Sequence, residues 1–341
     1  MKGKRLILFV SAVCLAVSTV NAKQLNLVSY DYHIPANIIS SIALGMGGLN
    51  LTNAGDYFTS YDNPALLAGN NVTSFAASFR LKNEEEISLA DAASASNLLK
   101  AKQFMYYTLI TKNAAWSYQP TVSTHISEIN ANSLEYYDYQ LDKLQLSLAG
   151  SDERYADFAA GINIKYLTGR LIYLKERIEY NEMIRESFID DKVKGFSTDL
   201  GVTYTSGKYT FGSCVYDVLS RLWWEHYDSE DLQRRAAVGV QYSDDNLTLS
   251  GSLQGKLSQS TDTSYHLGLT RAWHWKSGKD KEQGLLVRAG LFSHDFNGTE
   301  NINYTLGSGY NYNMFRFDFG LTNTGMRLKD SEFIFSLGIG I

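Results

Sequence analysis

The feature that most restricts this chain is a side-chain period of two, repeated along most of its length. Phe315, Phe317, Phe319 and Leu321 alternate with Arg316, Asp318, Gly320 and Thr322; Phe196, Leu200, Val202 and Tyr204 oppose Ser197, Asp199, Gly201 and Thr203. Successive side chains of a strand point to opposite faces, so such runs are half-buried strands that no helix accommodates. Marking every run predicts fourteen strands near 72–81, 104–111, 114–122, 138–149, 155–168, 195–205, 208–217, 234–243, 246–256, 263–274, 284–294, 302–311, 314–323 and 331–341. Short connections such as Lys112-Asn113, Ser206-Gly207, Asp244-Asp245 and Tyr312-Asn313 alternate with mostly longer ones at 82–103, 123–137, 169–194 and 218–233. Short turns on one rim and longer loops on the other describe an all-β, antiparallel transmembrane barrel of about fourteen strands, with both termini in the periplasm. A soluble sandwich buries apolar faces too, but it needs no such asymmetry. The mean hydropathy of −0.22 fits a barrel, because lipid-facing and lumen-facing residues cancel in any average.

The first residues agree with export. Lys2, Lys4 and Arg5 precede an apolar run from Leu6 to Val17, and Val20-Asn21-Ala22 offers small residues for cleavage. Residues 1–22 read as a secretory signal peptide, too short in its apolar run to span a membrane. A lipid anchor on Cys14 is disfavoured by the bulk of Val13 before it. Cleavage leaves one cysteine, Cys214, and takes the net charge from −5 to −8. No intramolecular disulfide is then possible, and no basic footprint for nucleic acid exists.

Between signal and barrel lies a glycine-rich stretch, Leu44–Gly69, ending in Asn63-Pro64-Ala65. Asn63 suits a helix cap and Pro64 the first helical position, where its missing donor is not needed. A one-turn helix over Pro64–Leu67 is predicted. Gly45, Gly47 and Gly48 let the backbone turn or approach a wall closely. This pattern, GMGG followed by Ala54, Asp56, Asn63-Pro64-Ala65 and Leu67, resembles the N-terminal region of the FadL-type outer-membrane transporter superfamily, which includes PorV/PorQ-like proteins. Two positions depart from it: Leu66 replaces the usual glycine, and Thr59 stands where alanine is common. The resemblance implies that residues 23–71 fold as a hatch inside a barrel formed by residues 72–341. It also implies passive uptake of a hydrophobic small molecule, a long-chain fatty acid or an aromatic hydrocarbon, across the outer membrane of a diderm bacterium, with no cofactor. The alternative is a PorV-like protein that binds exported clients or secretion-system subunits.

Other candidates follow from position. Lys165, Asp199, Lys256, Arg288, Arg316 and Asp318 fall on lumen parity. They either pair within a wet lumen and clamp the hatch, or line a passage and hold an acidic head group. Pro120 lacks a ladder donor and belongs at a bulge, an interrupted pairing, or the end of a strand stopping at Gln119. In FadL-type barrels a kinked third strand opens the wall sideways, and the resemblance implies a similar interruption at Pro120 as one of these alternatives. Leu219, Leu222, Trp223 and Trp224 form an expected apolar capture patch on the outer loops. Trp273 and Trp275 suit the periplasmic aromatic girdle, and Trp223 and Trp224 the outer one. The last strand ends on Ile341, as a lipid-facing signal read by barrel-assembly machinery. No histidine has a partner at zinc-ligand spacing, so no metal site is expected. His125 and Ser127, on an expected outer loop, have the separation used by outer-membrane phospholipases, but no further acyl-transfer constellation accompanies them, and no enzyme is expected.

Overall fold

The computed structural model describes residues 38–82, 104–130, 133–179, 182–257, 263–277, 281–293, 302–323 and 331–341. The export signal, with Cys14, lies outside them. Among the described residues the strands are β1 (Ser74–Lys82), β2 (Phe104–Thr111), β3 (Ala114–Asn130), β4 (Ser133–Ser151) and β5 (Phe158–Glu179). They continue with β6 (Glu182–Ser206), β7 (Tyr209–Trp224), β8 (Arg235–Asp244), β9 (Leu247–Lys256) and β10 (Thr263–Ser277). The last are β11 (Lys281–Ser293), β12 (Ile302–Tyr312), β13 (Phe315–Asn323) and β14 (Ser331–Gly340). Each pairs antiparallel with its neighbours in sequence, and β1 pairs with β14 from Ser74↔Gly340 to Lys82↔Glu332, closing the barrel. Asn113, Gly207, Asp245 and Asn313 take positive φ in the tight turns, as two-residue hairpins require.

The solvent on the outside of the wall is legible from its side chains. Leu144, Leu146 and Leu148 on β4, Phe196, Leu200 and Val202 on β6, and Phe317 on β13 are exposed outward. Gln145, Ser147, Asn163, Lys165, Ser197 and Asp199 are buried inward. Apolar outside and polar inside is the arrangement of a barrel whose outer face meets lipid. The chain is therefore an outer-membrane-type β-barrel; no described helix is long and apolar enough to cross a membrane.

Five strands correct the sequence expectation. β3 to β7 have 17, 19, 22, 25 and 16 residues, against the roughly 9–11 that cross a bilayer. The stretches expected as long loops at 123–137 and 169–194 are largely strand, 218–224 extends β7, and together they form a wall standing beyond the apolar band. There the facing inverts: Asp190, Lys192 and Lys194 on β6 point out, while Ile189 and Val193 are buried. On β5, Arg170 points out and pairs with Asp190 at 2.7 Å, whereas Leu167 and Leu171 point in. Above the lipid the outer face meets water, so the apolar residues move to the inner face. His125 and Ser127 fall on β3 rather than a loop, and their side chains lie outside those described.

Candidate functional site

Residues 38–69 pack against inward-facing residues of many strands. The stretch begins with a short helix, Ser41–Gly45, whose cap Ser40 accepts from the amides of Ile42 and Ala43 at 3.1 Å each. Ser40 Oγ donates to Asp56 Oδ2 at 2.5 Å, and Asp56 Oδ1 accepts from the Phe58 amide at 2.9 Å. Asp56 thus ties the start of the stretch to its middle. A second short helix covers Thr59–Asp62, and a 3-10 helix covers Pro64–Gly69, slightly longer than the predicted turn. Asn63 caps the latter, accepting from the Ala65 amide at 3.1 Å, with Pro64 in the first turn.

Polar groups of the stretch find partners on the wall, as buried backbone demands. Asn63 Nδ2 donates to the carbonyls of Leu51 at 2.9 Å and of Val202 on β6 at 3.2 Å. Asn163 donates to the Ser60 carbonyl at 2.8 Å, and Tyr216 to that of Asp62 at 2.7 Å. His266 Nδ1 lies 2.6 Å from the Gly47 carbonyl, and Ser41 Oγ 2.8 Å from Ser336 Oγ.

The expected glycines do hold close approaches. Gly47 and Gly48 adopt φ of +87° and +89°, and Gly45 faces Arg288 and Gly307. Sequence reasoning missed the other half of the fit. Gly161, Gly201, Gly212, Gly268, Gly290, Gly320 and Gly338 present bare backbone inward, and a Cβ at each would overlap the stretch. Gly161 and Gly201 form the socket for Asn63-Pro64-Ala65. Glycine on lumen parity was the available signal.

Five of the six lumen charges join two networks. Arg288 and Arg316 meet Asp318 at 2.9 and 2.6 Å, and Arg316 also donates to the Gly55 carbonyl, which clamps the stretch. Lys165 meets Asp199 at 2.6 Å and Asp217 at 3.2 Å. Asp217, unassigned from sequence, sits at a shift in the β6–β7 register with φ +56°; its amide donates to Asp199 and its carboxylate accepts from Ser197. The bulge turns this extra side chain into the lumen. Lys256 stands elsewhere, opposite Arg235 at the end of β9.

The proposed capture patch divides. Leu222 and Trp224 point inward, buried with Leu141, Leu167, Leu171, Tyr173, Ile189, Val193 and Leu232. Leu219 and Trp223 point outward, Trp223 packing on Phe196 with centroids 5.8 Å apart. Alternation along β7 separates what looked like one cluster. Residues after β7 fold back over the inner half: Leu222 and Glu230 exchange backbone bonds of 2.7 and 3.0 Å, and Trp224 Nε1 donates to Glu230 at 2.9 Å.

Pro120 marks an end of pairing on one side only. β3 stays in register with β4 through Pro120↔Asp142, so the strand does not stop at Gln119. The β2–β3 ladder, however, stops at Tyr107↔Tyr118. Asn113 accepts from Ala149, which directs the odd-numbered backbone groups of β3 to β4 and the even-numbered ones to β2. The donor that Pro120 lacks therefore faces β2. Tyr107 packs with Trp116 and Tyr118 at 5.4 and 5.5 Å beside this seam. Met105 and Tyr106 pack with Ile39, Phe58 and Ala76 within the barrel.

No protein-family model matches the sequence, and no curated protein is significantly similar to it. Solved structures are similar in fold. The CymD monoaromatic hydrocarbon channel aligns with a TM-score of 0.54 at 10% identity, over 89% of this chain and 97% of that one. The Ralstonia pickettii toluene transporter TbuX aligns with 0.50 at 11%, over 90% and 98%, and the Pseudomonas putida toluene transporter TodX with 0.50 at 9%, over 88% and 96%. At such identities the likeness is one of fold: this chain has the barrel fold of these channels, in agreement with the FadL-type resemblance of its glycine-rich stretch.

Proposed function

We propose that this protein is an outer-membrane channel for passive uptake of small hydrophobic molecules, with both termini in the periplasm. The observation that carries the reading is the seam between β2 and β3. β3 continues while its pairing to β2 ends at Tyr118, and Pro120 withholds the donor that would extend it. An apolar solute leaving there enters lipid without crossing water. Aromatic rings line the outer side of the seam, and the buried apolar cluster of Met105, Tyr106, Ile39 and Phe58 lies on β2 and the stretch within the barrel. Residues 44–69 act as the hatch, and passage requires them to shift. The fold shared with monoaromatic hydrocarbon and toluene channels supports this reading over PorV-like client binding.

The test is flux of labelled toluene and of a labelled fatty acid into proteoliposomes holding the purified barrel. Intact protein should accelerate entry of at least one. Pro120→Val, which restores a donor facing β2, should slow it several-fold while the barrel still folds. Entry no faster than in empty liposomes would sink the proposal.

A further inference from the structure

Asp191 and His226 are 35 positions apart in sequence and opposite one another in space. The register Val193↔Trp224 continues past the named strand, because the Glu225 amide donates to the Lys192 carbonyl at 3.0 Å. The next pair in this register is Asp191 and His226. Asp191 Oδ2 accepts from the His226 amide at 3.1 Å, which aims Oδ1 at His226 Nδ1, 2.9 Å away. The carboxylate of Glu225 lies with these two groups, its ligand atom within 4.8 Å of theirs.

The Asp191 side chain is 0% exposed, whereas that of His226 is 70% exposed. A buried carboxylate needs a cation or a full set of donors. Among the described residues, the hydrogen bonds on the Asp191 carboxylate come from His226 alone. We infer that Asp191, Glu225 and His226 form a binding site for a borderline divalent metal ion of the Zn²⁺ or Ni²⁺ class.

The donor set selects this class. One imidazole nitrogen with two carboxylates suits such ions, whereas Ca²⁺ and Mg²⁺ prefer oxygen alone. Neighbouring ligands of an ion held at about 2.0–2.2 Å lie roughly 3–3.6 Å apart, so the 2.9 Å between Asp191 Oδ1 and His226 Nδ1 needs to open only slightly to admit one. Glu225 is exposed with a carboxylate oxygen within 4.8 Å of both, and water would complete the shell on the open side. The bound ion takes the Nδ1 lone pair, so any proton held there is released. Occupancy would fasten the start of the connection between β7 and β8 to β6, directly beside Trp224. That connection folds inward over the apolar cluster, so the ion would stiffen the barrel mouth. Spacing in sequence gave no hint of the set, since strand pairing alone brings its members together.

The experiment uses the full-length, untagged barrel in detergent, stripped with EDTA and titrated with ZnCl2 by calorimetry. One equivalent should bind with micromolar affinity or better, and Zn²⁺ should raise the thermal transition where Mg²⁺ does not. His226→Ala, at an exposed position, should weaken binding by roughly tenfold or more. Glu225→Gln should weaken it less. His274→Ala, on exposed β10, should leave it unchanged. Equal Zn²⁺ binding by the intact protein and His226→Ala, loss of binding in His274→Ala, or no binding at all would each overturn the inference.

Discussion

Asn63 and Gly201 meet where the N-terminal stretch touches β6. The Asn63 carboxamide oxygen occupies the space that a Cβ at Gly201 would need, while its nitrogen donates to the adjacent Val202 carbonyl at 3.2 Å. Gly201→Ala must therefore push the cap out of its socket. The expected cost is about 1–3 kcal/mol, the range of overpacking at a well-fitted site. Gly150→Ala, where a Cβ meets nothing within 4 Å, should be near neutral. Urea unfolding of the two variants in lipid vesicles compares them directly.

Removing the stretch tests its role as a hatch. Deletion of residues 44–69 should leave an inserted, heat-modifiable barrel that conducts ions, because an emptied lumen of fourteen strands admits water. Asn63→Ala should cost only about 1 kcal/mol of cap stability and open no ionic path. Planar-bilayer conductance reads both. A deletion that conducts no more than the intact protein would show that the stretch does not seal the lumen.

The Lys165 network should be costly to break. Its ammonium is buried between Asp199 and Asp217, and removing one partner of a buried ion pair commonly costs about 3–5 kcal/mol. Lys165→Met is expected to fall in that range. Replacing Lys208, whose ion pair with Asp244 is solvent-exposed, should change stability far less. Denaturant midpoints of the two variants give the comparison.

The two adjacent tryptophans should behave differently. Trp224→Ala empties a site in the inner apolar cluster and should cost about 3–5 kcal/mol. Trp223→Ala loses mainly a ring pair with Phe196, worth about 0.5–1.5 kcal/mol. Similar losses in both would mean that β7 does not separate them onto opposite faces.

Height along the barrel should matter as much as face. Phe317 and Phe188 both point outward, at 49% and 53% exposure, but Phe188 lies beyond the band that ends at Phe196. Phe317→Arg should cost about 2–4 kcal/mol, and Phe188→Arg about 1 kcal/mol or less. Folding titrations into vesicles measure the difference, and equal costs would move the lipid boundary.

The sequence by itself determined the class of fold and the number of strands. Each strand inside the band has one face on lipid, so Phe315, Phe317 and Phe319 cannot avoid alternating with Arg316, Asp318 and Gly320. It also placed the Asn63 cap, because a cap depends only on residues two or three positions away. Tertiary structure decided the rest. β3 to β7 run on past the lipid, where the apolar face changes sides between Phe196 and Val193, and an inverted pattern reads as a loop when no boundary is known. The socket at Gly161 and Gly201 is set by a stretch about a hundred or more residues distant, and Asp217 enters the Lys165 network through a bulge. Leu222 and Trp223 are neighbours in the chain yet face opposite media. Local chemistry fixes a period and a cap; which face meets lipid, water or the stretch inside depends on the register of strands far apart in the chain.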